Sequence, residues 1–217
     1  MGKKKFNEVQ DILELRTSKI RNIRQYELLF LQEITKLLPV DSKVLEVGSF
    51  IGKSAVCIAE VLENNNGHLY CLDNFSEPVQ DQEARFYENI KGYKNINVIK
   101  EDSLTYFKSN QDRYNMIFID GNHTIKYFVN DLAYSIKYST DIVCGHDFSI
   151  NTPWIIDAIQ FLCEKFNCTY QVKGYIWNLE NFEMLKKIPT DMIILLLENR
   201  LKNTKIYHLN NHRYKNE

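Results

Sequence analysis

Two short segments hold the residues best suited to move a proton: Asp120-Gly121-Asn122-His123 and Gly145-His146-Asp147-Phe148. Each follows a short apolar run, and each pairs an aspartate with a histidine. An imidazole titrates near neutral pH and can take a proton from a hydroxyl. If the fold brings the segments together, two carboxylates and two imidazoles converge. A lone histidine is more often a satisfied structural group. Two of them, each just past an apolar run and each beside an aspartate, make a reactive centre at least as good a reading. Asp120, His123 and His146 are the catalytic candidates.

Three further segments suit a nucleoside. Glu46-Val47-Gly48-Ser49-Phe50-Ile51-Gly52-Lys53-Ser54 places glycines at a strand-to-helix turn. There the backbone can bend sharply and approach a ligand, and the helix start offers free N–H groups to a carboxylate. Glu46, Gly48, Ser49, Phe50, Gly52 and Ser54 are the candidates in this turn. Asp73, followed by Asn74, lies 25 residues beyond Gly48 and can accept from both hydroxyls of a ribose. Asp102 and Ser103 suit the edge of an adenine. Each aspartate could instead cap a turn. Their order favours an adenosine-containing ligand: glycine turn, then acid, then acid–hydroxyl pair. The spacing G-x-G-x-x-G is absent, which counts against a nicotinamide enzyme.

These candidates need rigid elements to hold them. Lys43 to Val47, His68 to Leu72, Ile96 to Lys100, Asn115 to Ile119 and Asp141 to Cys144 read as five buried strands. Helices are expected over Ser54 to Leu62, Asp81 to Ile90, Ile125 to Ile136 and Pro153 to Phe166, the last opened by Thr152 as a cap. Thr169 to Val172 and Tyr175 to Leu179 flank Lys173-Gly174 as a terminal hairpin. Such alternation predicts an α/β fold with a mostly parallel sheet covered on both faces. In that sheet strands one, four and five are central, so the two Asp–His segments face each other beyond the carboxyl ends.

Three regions are expected: N-terminal helices over 1–40, a ligand-binding domain over 41–180 and a helical extension over 181–217. Leu28, Leu29, Leu31, Ile34, Leu37 and Leu38 carry the first, ended by Pro39. Thr190 is expected to cap a helix through Met192, Leu195, Leu196 and Leu201, which packs on the domain; the alternative is a homodimer contact. The segment Asn74 to Tyr87, with Phe75, Phe86 and Tyr87, reads equally as a wall or lid over the site and as a surface connection.

Of the 217 residues, 44% are hydrophobic and 25% charged, and the net charge is -1. This is a globular balance, without the basic field a phosphate backbone needs, so nucleic acid is disfavoured as a partner. Lys3-Lys4-Lys5 reads as a solvated terminus. The five cysteines have no C-x-x-C spacing, which suggests neither a zinc site nor a disulfide framework. No secretory signal is visible, and the longest apolar run, Met192 to Leu197, is too short to span a bilayer. A cytoplasmic location is the expectation.

The stretches VLEVGSFIGKS, YCLDNF, EDS, FIDGNHT and GHDF resemble the class I S-adenosylmethionine-dependent methyltransferases. The similarity is to the branch called methyltransferase domain family 24, near the catechol and macrocin O-methyltransferase groups, and covers about residues 25 to 180. Phe50 stands where the middle glycine of the usual G-x-G-x-G lies.

The resemblance implies a Rossmann-like three-layer sandwich with a seven-stranded sheet. It implies S-adenosylmethionine as cofactor: Glu46 orienting the turn or the methionine amino group, Gly48, Ser49, Gly52 and Ser54 lining the methionine end, Asp73 at the ribose, and Asp102 with Ser103 at the adenine. In metal-dependent relatives acidic residues after strands four and five hold Mg²⁺; Asp120 and Asp147 match them, with His146 where a second oxygen ligand is usual. Imidazole suits manganese, zinc or iron better than magnesium. The implied reaction is O-methylation of a small hydroxylated acceptor such as a sugar, glycan or secondary metabolite. The alternatives are a non-catalytic S-adenosylmethionine-binding module and a methyltransferase acting on protein or RNA.

Overall fold

Short apolar runs rich in branched residues can bury both faces only in a sheet covered twice. A computed structural model describes residues 23–202 and contains such a sheet. Strands β1 (Lys43–Val47), β2 (His68–Leu72), β3 (Ile96–Ile99), β4 (Tyr114–Ile119), β5 (Ser139–Gly145), β6 (Thr169–Lys173) and β7 (Ile176–Glu180) lie in the order β3-β2-β1-β4-β5-β7-β6. β1 to β5 run parallel. β7 pairs antiparallel with β5, and β6 with β7. The expected seven-stranded sheet and its C-terminal antiparallel hairpin are both present. The strand order reverses between β1 and β4, which opens a crevice at their carboxyl ends.

The helices are α1 (Gln25–Thr35), α2 (Lys53–Glu63), α3 (Gln82–Asn89), α4 (Ser103–Ser109), α5 (Ile125–Tyr138), α6 (Pro153–Phe166), α7 (Glu183–Lys186) and α8 (Thr190–Lys202). Side chains alternate across each strand and so divide between two cores. Val44 of β1 with Met116 and Phe118 of β4 packs against Leu31 of α1 and Ile58 of α2. Leu45 and Val47 with Ile117 and Ile119 pack against Leu132 of α5, Ile159 of α6 and Leu197 of α8. Three layers result.

Most boundaries agree with the sequence pattern. α1 stops at Thr35, before the run ends at Pro39, because the residue ahead of a proline is steered away from helix. Leu37 therefore falls outside the helix and is exposed. The helical turns expected before residue 23 lie outside the described residues, as does the chain after 202. α4 is short and had no apolar period to announce it. α8 buries Ile193, Leu197 and Leu201 against α5 and α6 while Met192 and Leu195 face outward, so the helix closes the core. All five cysteines are free and buried. Among the described residues no helix is long and apolar enough to cross a membrane.

Candidate active site

The site begins with a close approach of backbones. A Cβ on Gly48 would lie 2.4 Å from the carbonyl oxygen of Asp120, and φ there is +86°. Only glycine lets the β1 turn meet the end of β4 so tightly. The neighbouring ends are pinned as well: Gly48 N–H donates to Leu72 and Asp120 N–H to Val47, each at 2.8 Å.

The turn that follows is held from below and from the side. Phe50 has φ +49°, a left-handed conformation uncommon for a bulky residue. It persists because Asp73 Oδ2 accepts the N–H groups of Ser49 and Phe50, both at 2.8 Å. Asp73 Oδ1 accepts from Phe75 N–H at 2.6 Å. Glu46 is wholly buried under the turn and accepts from Ser49 Oγ at 2.6 Å and Cys71 Sγ at 3.5 Å. Burial lifts its carboxyl to about 7, against the pull of Ser49, Ser54 and Cys71. At the third strand end, Asp102 caps α4, accepting from Leu104 N–H at 3.0 Å. Its other oxygen accepts from Tyr127 Oη at 2.8 Å.

All five strand ends open onto one cavity of about 580 Å³, whose wall includes Gly48, Asp73, Asp102, Asp120 and Asp147. Ser49, Phe50, Ser54, Asn74, Ser103, His123 and His146 line it too. Glu46 and Gly52 do not. Glu46 supports the turn from beneath, and Gly52 packs against Phe86 and Ile90. The 74–87 segment divides: Asn74, Ser76 and Glu77 reach the cavity, whereas Phe86 is fully buried core against Phe75.

The two Asp–His segments meet as the topology requires. His123 Nε2 lies directly against Asp147 Oδ2 and 3.8 Å from Asp120 Oδ1. His146 Nδ1 lies 3.4 Å from Asp147 Oδ1 and 3.6 Å from Asp120 Oδ1. His146 is only 6% exposed, while the His123 side chain is 43% exposed on the wall. Burial pulls both imidazoles down, but Asp120 and Asp147 outweigh it and lift His123 to about 10 and His146 to about 9. Burial pushes Asp147 up, yet its hydrogen bonds from the two histidines hold it well below the usual carboxylate range. Asp120 is raised, chiefly by burial. Asp120, His146 and Asp147 each offer one donor atom, all within 4.8 Å of one another, and could hold a cation.

Three contacts keep the second segment in place. Gly145 lies so close to the Trp177 ring that a Cβ would sit 2.5 Å from it. Trp177 Nε1 donates to the His146 carbonyl at 3.0 Å. Thr152 Oγ1 donates to the Asp147 carbonyl, so the hydroxyl expected to cap α6 tethers the aspartate's loop instead.

Residues 45–148 match the family described as "Methyltransferase domain". That segment is similar to a methyltransferase domain. No curated protein matches this chain in sequence. Several solved structures share its fold. The cofactor-bound protein Rv0187 from MTB is 11% identical with a TM-score of 0.63, covering 80% of this chain and 89% of that one. The O-methyltransferase TomG from Streptomyces achromogenes, solved with SAM, is 13% identical with a TM-score of 0.59 over 80% and 89%. An O-methyltransferase from Bacillus cereus, solved with SAH, is 16% identical with a TM-score of 0.56 over 81% and 91%.

Two buried carboxylates have no counterpart among the residues singled out from the sequence. Glu27 of α1 is wholly buried, with Oε2 3.6 Å from His146 Nε2. The signal was an acid on the helix face that carries Leu31 and Ile34, at steps of four and seven. Asp131 of α5 is likewise buried, and neither of its oxygens has a hydrogen-bond partner among the described residues. Burial lifts it to about 7, opposed by the nearby Ser103 hydroxyl. It stands three residues after Phe128, on an apolar stripe where a charge is costly.

Proposed function

We propose that this protein is a methyltransferase that moves the methyl group of S-adenosylmethionine to a hydroxyl oxygen of a small acceptor. One observation carries the reading: the glycine turn, Asp73 and Asp102 line the same cavity as the Asp120–His123–His146–Asp147 cluster. The methionine end lies along Gly48, Ser49, Phe50 and Ser54, the ribose at Asp73 and Asn74, the adenine at Asp102 and Ser103. Asp120 stands between cofactor and cluster. Glu46 and Gly52 shape the turn without touching the ligand. The two O-methyltransferases of similar fold, solved with SAM and SAH, support the choice of cofactor.

Transfer is an in-line displacement. The acceptor oxygen forms a bond to the methyl carbon as the carbon–sulfur bond breaks, and S-adenosylhomocysteine leaves as a neutral thioether. Alignment of the reacting atoms supplies on the order of 7–11 kcal/mol in favourable cases. The acceptor's proton goes to the His123 imidazole, whose side chain is partly exposed on the cavity wall. Asp120 and Asp147 raise the His123 imidazole above its ordinary range; a cation held by those carboxylates would relieve that pull and leave His123 able to act as base. His146 is too enclosed to meet an acceptor; it acts as a ligand.

The donor set fits a divalent cation. Two carboxylates and an imidazole converge, and the far nitrogen of that imidazole is buried against a further carboxylate. Such a mixed set favours manganese over magnesium. A cation held there would lower the pKa of the acceptor hydroxyl. A sugar hydroxyl is the preferred acceptor, ahead of a glycan chain or secondary metabolite, and a cytoplasmic location belongs to the same reading.

The deciding experiment incubates the full chain with methyl-labelled cofactor and a panel of hydroxylated sugars and phenols, with and without EDTA. Label should pass to a hydroxyl acceptor and fall when the chelator is present. Transfer to nitrogen or carbon acceptors alone would refute the reading.

A further inference from the structure

We propose that Glu27, which lies on α1 outside the family-matched segment, is the positioning residue that fixes which nitrogen His146 presents to Asp120 and Asp147. The inference rests on the reading of those three residues as cation ligands. His146 Nε2 is buried and has no hydrogen-bond partner among the described residues. Glu27 Oε2 faces it at 3.6 Å. The other nitrogen, Nδ1, faces the two aspartates at 3.4 and 3.6 Å.

A neutral imidazole carries one proton on one of these nitrogens. With the proton on Nδ1, the Nε2 lone pair would point at the Glu27 carboxylate inside a buried pocket. With the proton on Nε2, the N–H points at the Glu27 carboxylate, and the Nδ1 lone pair is free for a cation. Glu27 selects the second arrangement. A carboxylate behind a ligating histidine sets its tautomer and raises its basicity in this way.

Glu27 is itself held at both oxygens. Its Oε1 accepts from Tyr175 N–H and its Oε2 from Arg24 N–H, both at 2.8 Å. A Cβ on Gly174 would fall 2.5 Å from Oε1, so the β6–β7 turn packs directly on it. The Tyr175 ring stands edge-on to the imidazole at 6.0 Å. The start of α1 and the hairpin turn together therefore clamp Glu27.

The test is direct titration of the full chain with Mn²⁺, followed by electron paramagnetic resonance, with S-adenosylhomocysteine affinity measured calorimetrically on each variant. Wild type should bind Mn²⁺. Glu27→Gln should weaken Mn²⁺ about 10–100-fold, the range for such supporting partners, with S-adenosylhomocysteine affinity unchanged. Adding Glu27→Gln to His146→Gln should cost nothing further, because the carboxylate acts through the imidazole.

A Glu27→Gln protein that binds Mn²⁺ like wild type overturns the role of Glu27 and leaves the cation site standing. Additive losses in the double variant overturn it too. A wild type that binds no Mn²⁺ overturns the cation reading and this inference with it. Should Glu27→Gln fail to fold, ¹⁵N-histidine spectra of the Zn²⁺-loaded wild type still decide, with His146 identified by its loss in His146→Gln. A proton on Nε2 is expected, and a proton on Nδ1 overturns the proposal.

Discussion

The indole Nε1 of Trp177 donates to the backbone carbonyl of His146 at 3.0 Å. A residue of the antiparallel hairpin thus fixes the height of a side chain that belongs to the parallel half of the sheet. Trp177 is fully buried, so replacing it with Phe removes both the hydrogen bond and part of the volume under Gly145. Trp177→Phe should lower stability by about 1–3 kcal/mol in urea unfolding. It should also weaken Mn²⁺ binding, because His146 loses its anchor. Unchanged Mn²⁺ affinity would show that the hairpin does not position the cluster.

Asp73 tests the cofactor half of the cavity. Its Oδ2 already gathers two backbone N–H groups, and an amide nitrogen in its place would set donor against donor. Asp73→Asn should weaken S-adenosylhomocysteine at least tenfold by calorimetry, the effect of leaving about 1.4 kcal/mol or more of polar contacts unmade. An affinity within twofold of wild type would remove Asp73 from the ribose site.

Cation binding should appear as folding stability. A cation that binds only the folded chain adds about 2.7 kcal/mol at one hundred times its dissociation constant. Mn²⁺ should raise the melting temperature and EDTA should reverse the rise. Asp147→Asn should abolish the effect, since Asp147 joins Asp120 and His146 in the donor set. The measurement is a thermal melt, independent of any acceptor.

Asp131 should impose a pH dependence on stability. Its carboxyl is raised from 3.8 to about 7 in the folded protein, chiefly by burial. Between those values the folded chain holds a proton that the unfolded chain has released. Stability contributed by this group therefore falls as pH rises through that window and stays low above about 7. Asp131→Asn removes the penalty. The variant should exceed wild type in urea unfolding at about pH 8 and lose that advantage towards about pH 4. A constant difference across the range would sink the assignment.

Much of the site was legible because strand ends and turns obey local rules. Asp120, His123, His146 and Asp147 could be singled out from two short segments, each beside an apolar run. The glycine at 48 announced a close approach before the Asp120 carbonyl was known to be the neighbour. Glu27 stayed hidden because its partner lies more than a hundred residues away, and no local pattern encodes that distance. Thr152 reads locally as a helix cap, yet its hydroxyl donates to the Asp147 carbonyl and accepts no helix N–H.

The sequence by itself determined the alternation of strands and helices, and with it the gathering of Gly48, Asp73, Asp102, Asp120 and Asp147 along one rim. Hydrophobic period and parallel-sheet topology suffice for that. The tertiary structure alone decided which of those residues reach the cavity, which serve beneath it, and which histidine is enclosed. Those outcomes depend on packing between distant elements: α1 against the hairpin turn, and Trp177 against Gly145. Burial and hydrogen-bond geometry arise only when such surfaces meet, so they are absent from any local stretch of the chain.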